Sequence, residues 1–438
     1  MTANGYLPLT SVGCCRLRFR LGDLMRLIKG LVVSLVFSLL ATSQVALPDT
    51  PAGKMLKGWL ETFNAGDVDA RAKFIREHYS EAVLQGAPPE RMARRGLEFR
   101  EDVGGGFDLY KVTQSSDTEI KAVLQEKSGF GWAAIGIKVD PSRPTMVTSV
   151  GINPTATPDE ERPAREEQGA LTKDVDQLLQ KLSAEDRFSG VVLIAKDGKP
   201  FFAKAYGLAD REKNIPNNLD TKFRIGSMNK MFTSVAIAQL VQQGKLKYTD
   251  TLASVLRDYP NKEVAAKVTI HQLLTHTSGL GDYFGDEFDK KKDNLRELKD
   301  YLQFFASEPL QFEPGKGWAY SNAGMPLMGS SAGGGDSTAP DLLRFDQALR
   351  EHKLINAQLT ELITTGKVDV GPRSKYGYGF EESREDGSRV VGHGGGAPGM
   401  NGDLRIFWDA GYTVIVLSNF SPPVAQQVSG YIRERVKL

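Results

Sequence analysis

At 438 residues the chain is long enough for two or three domains, each with its own core. With 40% apolar and 25% charged residues it has the composition of an ordinary globular protein. A net charge of +1, with no long basic run, offers no field for nucleic acid or an anionic membrane, which leaves a globular enzyme or binding protein. In chain order, Arg26 and Lys29 precede an apolar run from Leu31 to Leu40, and the small residues Ala41 and Ser43 follow at the spacing of a cleavage site. That order predicts a secretory signal peptide over residues 1–43, leaving Gln44 first in an exported, periplasmic or secreted protein. The apolar run is short for a membrane span, so no stable span is expected after cleavage. Met25 would start a compact signal by itself, so residues 1–24 are either an over-extended start or a long charged region. Both cysteines, Cys14 and Cys15, precede the run, and the mature protein would hold neither a disulfide nor a thiol.

Residues 50–154 predict a small α+β domain. A helical pattern, Met55, Leu56, Trp59, Leu60 and Phe63, ends at Asn64-Ala65-Gly66-Asp67, and strand-like stretches follow at Phe107–Lys111, Ile120–Leu124 and Trp132–Val139. The turn at Phe63–Asp67 with sheet behind it resembles the nuclear-transport-factor-2-like domains, which implies a structural or recognition module. Residues 155–169, with Pro158, Pro163 and mixed charges, predict an exposed, semi-stiff linker. Residues 170–438 form the main domain. A helix through Val175, Leu178, Leu179 and Leu182 leads to a hairpin, Gly190–Ala195 and Phe201–Tyr206, about Lys196-Asp197-Gly198. Helical segments fill the middle. Strands return at Arg389–Gly392, Asp403–Trp408 and Tyr412–Ser418, and a helix from Val424 to Val436 closes the chain. The early and late strands predict one antiparallel sheet flanked by the terminal helices, with a separate helical lobe and a site in the cleft between them.

Three elements carry chemistry. Ser227-Met228-Asn229-Lys230 opens an apolar helical face, so Ser227 and Lys230, three apart, project together with the ammonium beside the hydroxyl. A serine in the first turn has a backbone N–H free for a developing oxyanion. By itself the tetrapeptide could equally be a helix cap with a solvated lysine. Tyr320-Ser321-Asn322 follows the turn Phe312-Glu313-Pro314-Gly315, and a phenol next to Lys230 would ionise more easily and could shuttle the serine proton. Tyr259-Pro260-Asn261 has the same spacing but reads as a surface turn. His393-Gly394-Gly395-Gly396 ends the strand Arg389–Gly392. There Gly395 would let a substrate backbone approach, and Gly396 N–H is the candidate second oxyanion donor, although a glycine-rich hairpin turn reads the same way. The five histidines, His78, His271, His276, His352 and His393, are scattered without zinc spacing.

In this order, with Leu273–Leu280, Ser331–Ala339 and His393–Gly402 between and around them, these elements resemble the serine β-lactamase-related superfamily of class C β-lactamases, D-alanyl-D-alanine carboxypeptidases and β-lactamase-fold esterases. The resemblance covers about Leu171 to Asn419. It implies an α+β fold of the β-lactamase/transpeptidase type, preceded here by the small domain. It also implies Ser227 as acyl-accepting nucleophile, Lys230 as its partner, Tyr320 as general base and acid, and Asn322 as a substrate-amide contact. The N–H groups of Ser227 and Gly396 would form the oxyanion hole, with no metal or cofactor. His393 stands where many members have lysine, and a mostly neutral imidazole favours esters or amides lacking a carboxylate. The order of preference is esterase, then D-Ala-D-Ala peptidase acting on peptidoglycan-like peptides, then β-lactamase. The family usually carries a long helical insert after Tyr-x-Asn, and here only residues 323–330 separate Asn322 from Ser331. That shortened lobe would expose faces such as Val235 and Leu240. It keeps open a second expectation, a weakened or inactive relative retained for binding.

Overall fold

Thr50 accepts a hydrogen bond from Gly53 N–H at 3.1 Å, and Pro51 stands in the first turn of helix α1, Pro51–Ala65. The structure, a computed structural model, describes residues 45–438 apart from 86, 324–332 and 372. The expected signal segment, both cysteines and the join after Ala323 therefore lie outside the described residues. Helix α1 buries Met55, Leu56, Trp59, Leu60 and Phe63, the periodic set, and ends at Gly66 with φ +74°. Helices α2 (Val68–His78) and α3 (Pro89–Asp102) follow. They pack with α1 on a four-stranded antiparallel sheet of β1 (Phe107–Ser115), β2 (Glu119–Glu126), β3 (Trp132–Val139) and β4 (Val147–Thr155), in sequential order. Strand β4 escaped the sequence reading because it is an edge strand in which only Val147 is fully buried.

The segment expected to be an exposed, semi-stiff linker is tied down. Thr157 Oγ1 donates to Glu434 Oε1 at 2.6 Å, Glu166 N–H to Arg435 O at 2.7 Å, and Arg165 to the carbonyls of Arg433 and Val436 while pairing with Asp386.

Beyond it, α4 (Gln168–Ala184) precedes an eight-stranded antiparallel sheet. Its members are β5 (Gly190–Lys196), β6 (Lys199–Tyr206), β7 (Val368–Gly371), β8 (Ser374–Tyr376), β9 (Glu381–Glu385), β10 (Ser388–Ala397), β11 (Met400–Phe407) and β12 (Tyr412–Ser418). They lie in the order β7-β8-β9-β10-β11-β12-β5-β6. Both faces of the sheet centre are covered. Val192 and Ile194 pack under α4 and the last helix, α8 (Val424–Arg433), whereas Val191 and Leu193 join the core of the helical side. Two-sided burial is why β5 and β12 read as unbroken apolar runs. The helical side holds α5 (Asn229–Gln242), α6 (Ala339–Arg350) and α7 (Ala357–Thr364) with shorter turns between. Against expectation, Val235 is buried, at 6% exposure, within that core, while Leu240 is 38% exposed. Tyr259 is buried too, and Asn261 caps a short helix, Lys262–Lys267. That pair is structural, not a second site.

Candidate active site

The site forms where the turn before α5 meets the end of β10. Gly226 has φ +52°, which an L side chain rarely adopts, and a Cβ there would stand 2.7 Å from Gly396 N. This turn, Gly226–Met228, runs directly into α5. Met228 and Met231 anchor below it, wholly buried, and Ser227 is left half-buried at the cleft. One turn on, Lys230 Nζ donates to Ser227 Oγ at 3.1 Å and to Asn322 Oδ1 at 2.9 Å.

Lys230 is 0% exposed, and burial pulls its ammonium down to about 7, with the carboxylate of Asp282 pulling the other way. Its Nζ lies 4.8 Å from the centroid of the Tyr320 ring. Tyr320 keeps 37% of its surface exposed, yet desolvation raises its phenol above the usual value despite a hydrogen bond with Ser227. The direction is opposite to that expected from an adjacent ammonium. Burial disfavours both charges, so near pH 7 the phenol rests neutral and the amine is divided between its charged and neutral forms.

Asn322 is held at both ends of its amide. Oδ1 faces Lys230, and Nδ2 donates to Asp282 Oδ2 at 3.0 Å, an arrangement that fixes which end is which. Beneath Tyr320 lies His276, 1% exposed, its ring centroid 4.4 Å from that of Tyr320. Its Nδ1 accepts from Ser321 N–H at 3.2 Å, and burial followed by Lys230 keeps it neutral. His393 was expected to face substrate. It is 3% exposed, its Nδ1 donates to Gly394 O, and its Nε2 accepts from the Tyr376 hydroxyl at 2.9 Å. Burial pulls it to about 4, so it is an uncharged ring that can meet substrate only through its backbone. Behind it Arg405 bridges Glu381 at 2.6 Å and Asp403 at 2.9 Å.

The glycines also differ from expectation. Strand β10 continues through His393–Gly396 to Ala397 and turns at Pro398-Gly399 into β11. In such a two-residue hairpin the closing pair, Ala397 and Met400, exchanges the ladder hydrogen bonds, so the next pair, Gly396 and Asn401, does not. Gly396 N–H therefore points away from β11. Strand β9 pairs with β10 only as far as Gly392, which leaves that edge open toward Ser227. A Cβ on Gly395 would stand 2.1 Å from Ile225 O and 2.8 Å from Ser227 N, so only glycine lets the strand approach the helix start this closely. The structure thus brings Ser227, Lys230, Tyr320, Asn322, Gly395 and Gly396 together and withdraws the imidazole of His393. Asp282, His276 and Tyr376 were not singled out as site residues. His276 was counted among the scattered histidines and lay inside Leu273–Leu280, a stretch that carried the resemblance, and nothing in the spacing of the other two marks them. Among the described residues no group of His, Cys, Asp and Glu is placed to hold a metal ion.

Comparison with known proteins bears on the family and the fold. Residues 175–331 match the family model described as Beta-lactamase. The chain is 27% identical over 329 residues to Penicillin-binding protein 4* of Bacillus subtilis (strain 168), covering 56% of this chain and 71% of that protein. It is 35% identical over 169 residues to Esterase EstB of Burkholderia gladioli, covering 35% of this chain and 43% of that protein, less than half the esterase's length. Among solved structures, a penicillin binding protein from Bacillus halodurans superposes with a TM-score of 0.52 at 28% identity, covering 61% of this chain and 98% of that one.

Proposed function

Since this chain carries a β-lactamase-family domain, with the fold of the serine hydrolases that share it, we propose that it is an acyl-transferring hydrolase with Ser227 as nucleophile. The observation that carries this reading is the 3.1 Å contact of Ser227 Oγ with a buried lysine amine that is half deprotonated near pH 7. In acylation Oγ adds to the substrate carbonyl carbon and its proton passes to Lys230 Nζ. The carbonyl electron pair moves onto oxygen, where the N–H groups of Ser227 and Gly396 receive it. Collapse breaks the bond to the leaving group, which takes the proton through the Tyr320 hydroxyl. Water then adds to the acyl carbonyl by the same route in reverse, releasing the acid and restoring Ser227. Tyr320 acts here as a neutral relay rather than as a phenolate base.

The preferred substrates are esters or amides without a carboxylate beside the scissile bond. The position where a family lysine would stand is a buried neutral imidazole, and a substrate carboxylate would find no fixed cation there. Esters rank first, peptides ending in D-Ala-D-Ala second and β-lactams third. A fluorophosphonate probe labels Ser227 in the wild type and not in Ser227→Ala; labelling that persists in the variant removes the assignment. Turnover of p-nitrophenyl esters, D-Ala-D-Ala peptides and nitrocefin ranks the substrates, and fast nitrocefin hydrolysis without esterase activity reverses the order. The short join after Asn322 favours a second reading, a binding protein without turnover, and robust Ser227-dependent turnover rejects it. Export belongs to the same proposal: the mature protein begins near Gln44, and an intact product starting at Met1 in the cytosol contradicts it.

A further inference from the structure

The oxyanion donor proposed on β10 belongs to one peptide unit, the carbonyl of Gly395 and the N–H of Gly396. The N–H points to the cleft, as the hairpin register requires. The carbonyl points the other way, into the ladder with Gly402, and a side chain adds a second donor to it. Asn401, wholly buried on β11, donates from Nδ2 to Gly395 O at 2.9 Å. The rest of its amide is committed to the start of the last helix. Nδ2 also donates to Gln426 Oε1 at 2.9 Å, and Oδ1 accepts from Ala425 N–H at 2.7 Å. Gln426 in turn donates to Gly402 O at 3.1 Å, and Gly399 N–H donates to Ser421 Oγ at 3.1 Å. Pro422 packs on Gly396 from the same side, at 2.3 Å from where a Cβ would be. A flipped Asn401 amide would set its NH2 against Ala425 N–H and its oxygen against Gly395 O, so the three partners fix its orientation.

We propose that Asn401 is a positioning residue for the oxyanion hole: by donating to Gly395 O it fixes and polarises the peptide unit whose N–H, on Gly396, receives the developing negative charge. The inference rests on the reading of Ser227 and Gly396 given above. Its physical basis is twofold. A hydrogen bond to an amide oxygen draws electron density toward that oxygen and makes the N–H of the same unit a better donor. The Asn401 amide also adds a second donor to the ladder bond that the register gives Gly395 O from Gly402 N–H, and so fixes the plane of a peptide between two glycines, where a misplacement of about 1 Å can cost about 100-fold. Asn401 touches no substrate, so its effect appears in the chemical step and not in binding.

The test compares the full chain with Asn401→Asp and Asn401→Ser. The first keeps the acceptor for Ala425 and removes the donor to Gly395; the second removes the contact with a shorter side chain and adds no buried charge. On a p-nitrophenyl ester, kcat falls about 10- to 100-fold in both, less than the roughly 100- to 1,000-fold expected for losing a whole donor, while KM stays within about twofold. The inhibition constant for phenylboronic acid, which forms a tetrahedral anionic adduct on serine, rises by the same factor as kcat falls. Thermal melting shows which variant is folded. An unchanged kcat in a folded variant, or a lower kcat with unchanged boronate affinity, overturns the inference. Absence of Ser227-dependent turnover in the wild type overturns the site reading and this inference with it, whereas wild-type turnover with an unaffected variant overturns only the role of Asn401.

Discussion

At the scale of single residues, the site is built on desolvation. Lys230 is buried with a polar contact at each side, and its amine titrates near 7 rather than above 10. As the proposed base it works deprotonated, so kcat/KM is expected to rise with pH through about 7 and to be lost below it. His393, held near 4, adds no second limb between pH 5 and 8, and the raised phenol of Tyr320 adds none on the alkaline side below its usual value. A pH profile of ester hydrolysis with one acidic limb near 7 is the expected result. Asp282 tests the cause. Its carboxylate raises Lys230, so Asp282→Asn moves the limb to lower pH by about one unit and lowers the plateau, because one amide oxygen cannot accept both from Asn322 Nδ2 and from Tyr283 N–H as the two carboxylate oxygens do. A limb that stays in place would separate Asp282 from the lysine.

At the scale of elements, one junction decides the geometry, the packing of the turn before α5 on the glycines of β10. Gly226→Ala puts a Cβ 2.7 Å from Gly396 N at a backbone angle that alanine resists. The strain is about 1–2 kcal/mol before any clash, and because the clash falls on the proposed oxyanion donor, activity is expected to drop at least about 100-fold. Activity and melting temperature measured together check this, since a loss of stability with full turnover would contradict it. The helix of Ser227 and the existence of β10 were legible from periodicity, and the Ser-x-x-Lys spacing was enough to place the lysine beside the serine. The extent of β10 was not legible. A run of three glycines carries no side-chain alternation, and only pairing with Asn401–Leu404 shows that it is strand. The protonation of Tyr320 was misread for a related reason: charge proximity can be inferred from spacing, whereas burial cannot.

At the scale of the whole molecule, the small α+β unit is joined to the hydrolase unit by more than its connection. Phe130 meets the Tyr431 ring at 6.4 Å, Thr157 bonds Glu434, and Arg165 ties the connecting segment to Asp386 and to two carbonyls near the C-terminus. Arg165→Ala leaves those carbonyls without their donor. It is expected to cost about 1–3 kcal/mol and to open residues 156–167 to protease. Limited proteolysis and thermal melting give the answer, and an equally resistant variant would show the ties to be incidental. Composition foresaw an exposed linker because prolines and charges are usual in linkers, but once the chain folded Arg165 paired with Asp386, just past β9, and Glu166 and Glu167 with Arg435 and Lys437, just past α8.

The sequence by itself determined the fold class, the main helices and central strands, and the group Ser227, Lys230, Tyr320, Asn322, Gly395 and Gly396 that meets at the cleft. These follow from local periodicity, turn chemistry and spacing along one helix, which the chain carries in its own order. Tertiary structure alone decided the electrostatic state of that set. Whether Lys230 is charged, whether His393 reaches substrate and which way Gly396 N–H points all depend on groups brought in from other elements, such as Asn322 and Asp282 beside Lys230 and Tyr376 beside His393, or on the register of a strand. Desolvation and hydrogen-bond direction are properties of a packed surrounding, and no residue has them until the chain is closed around it.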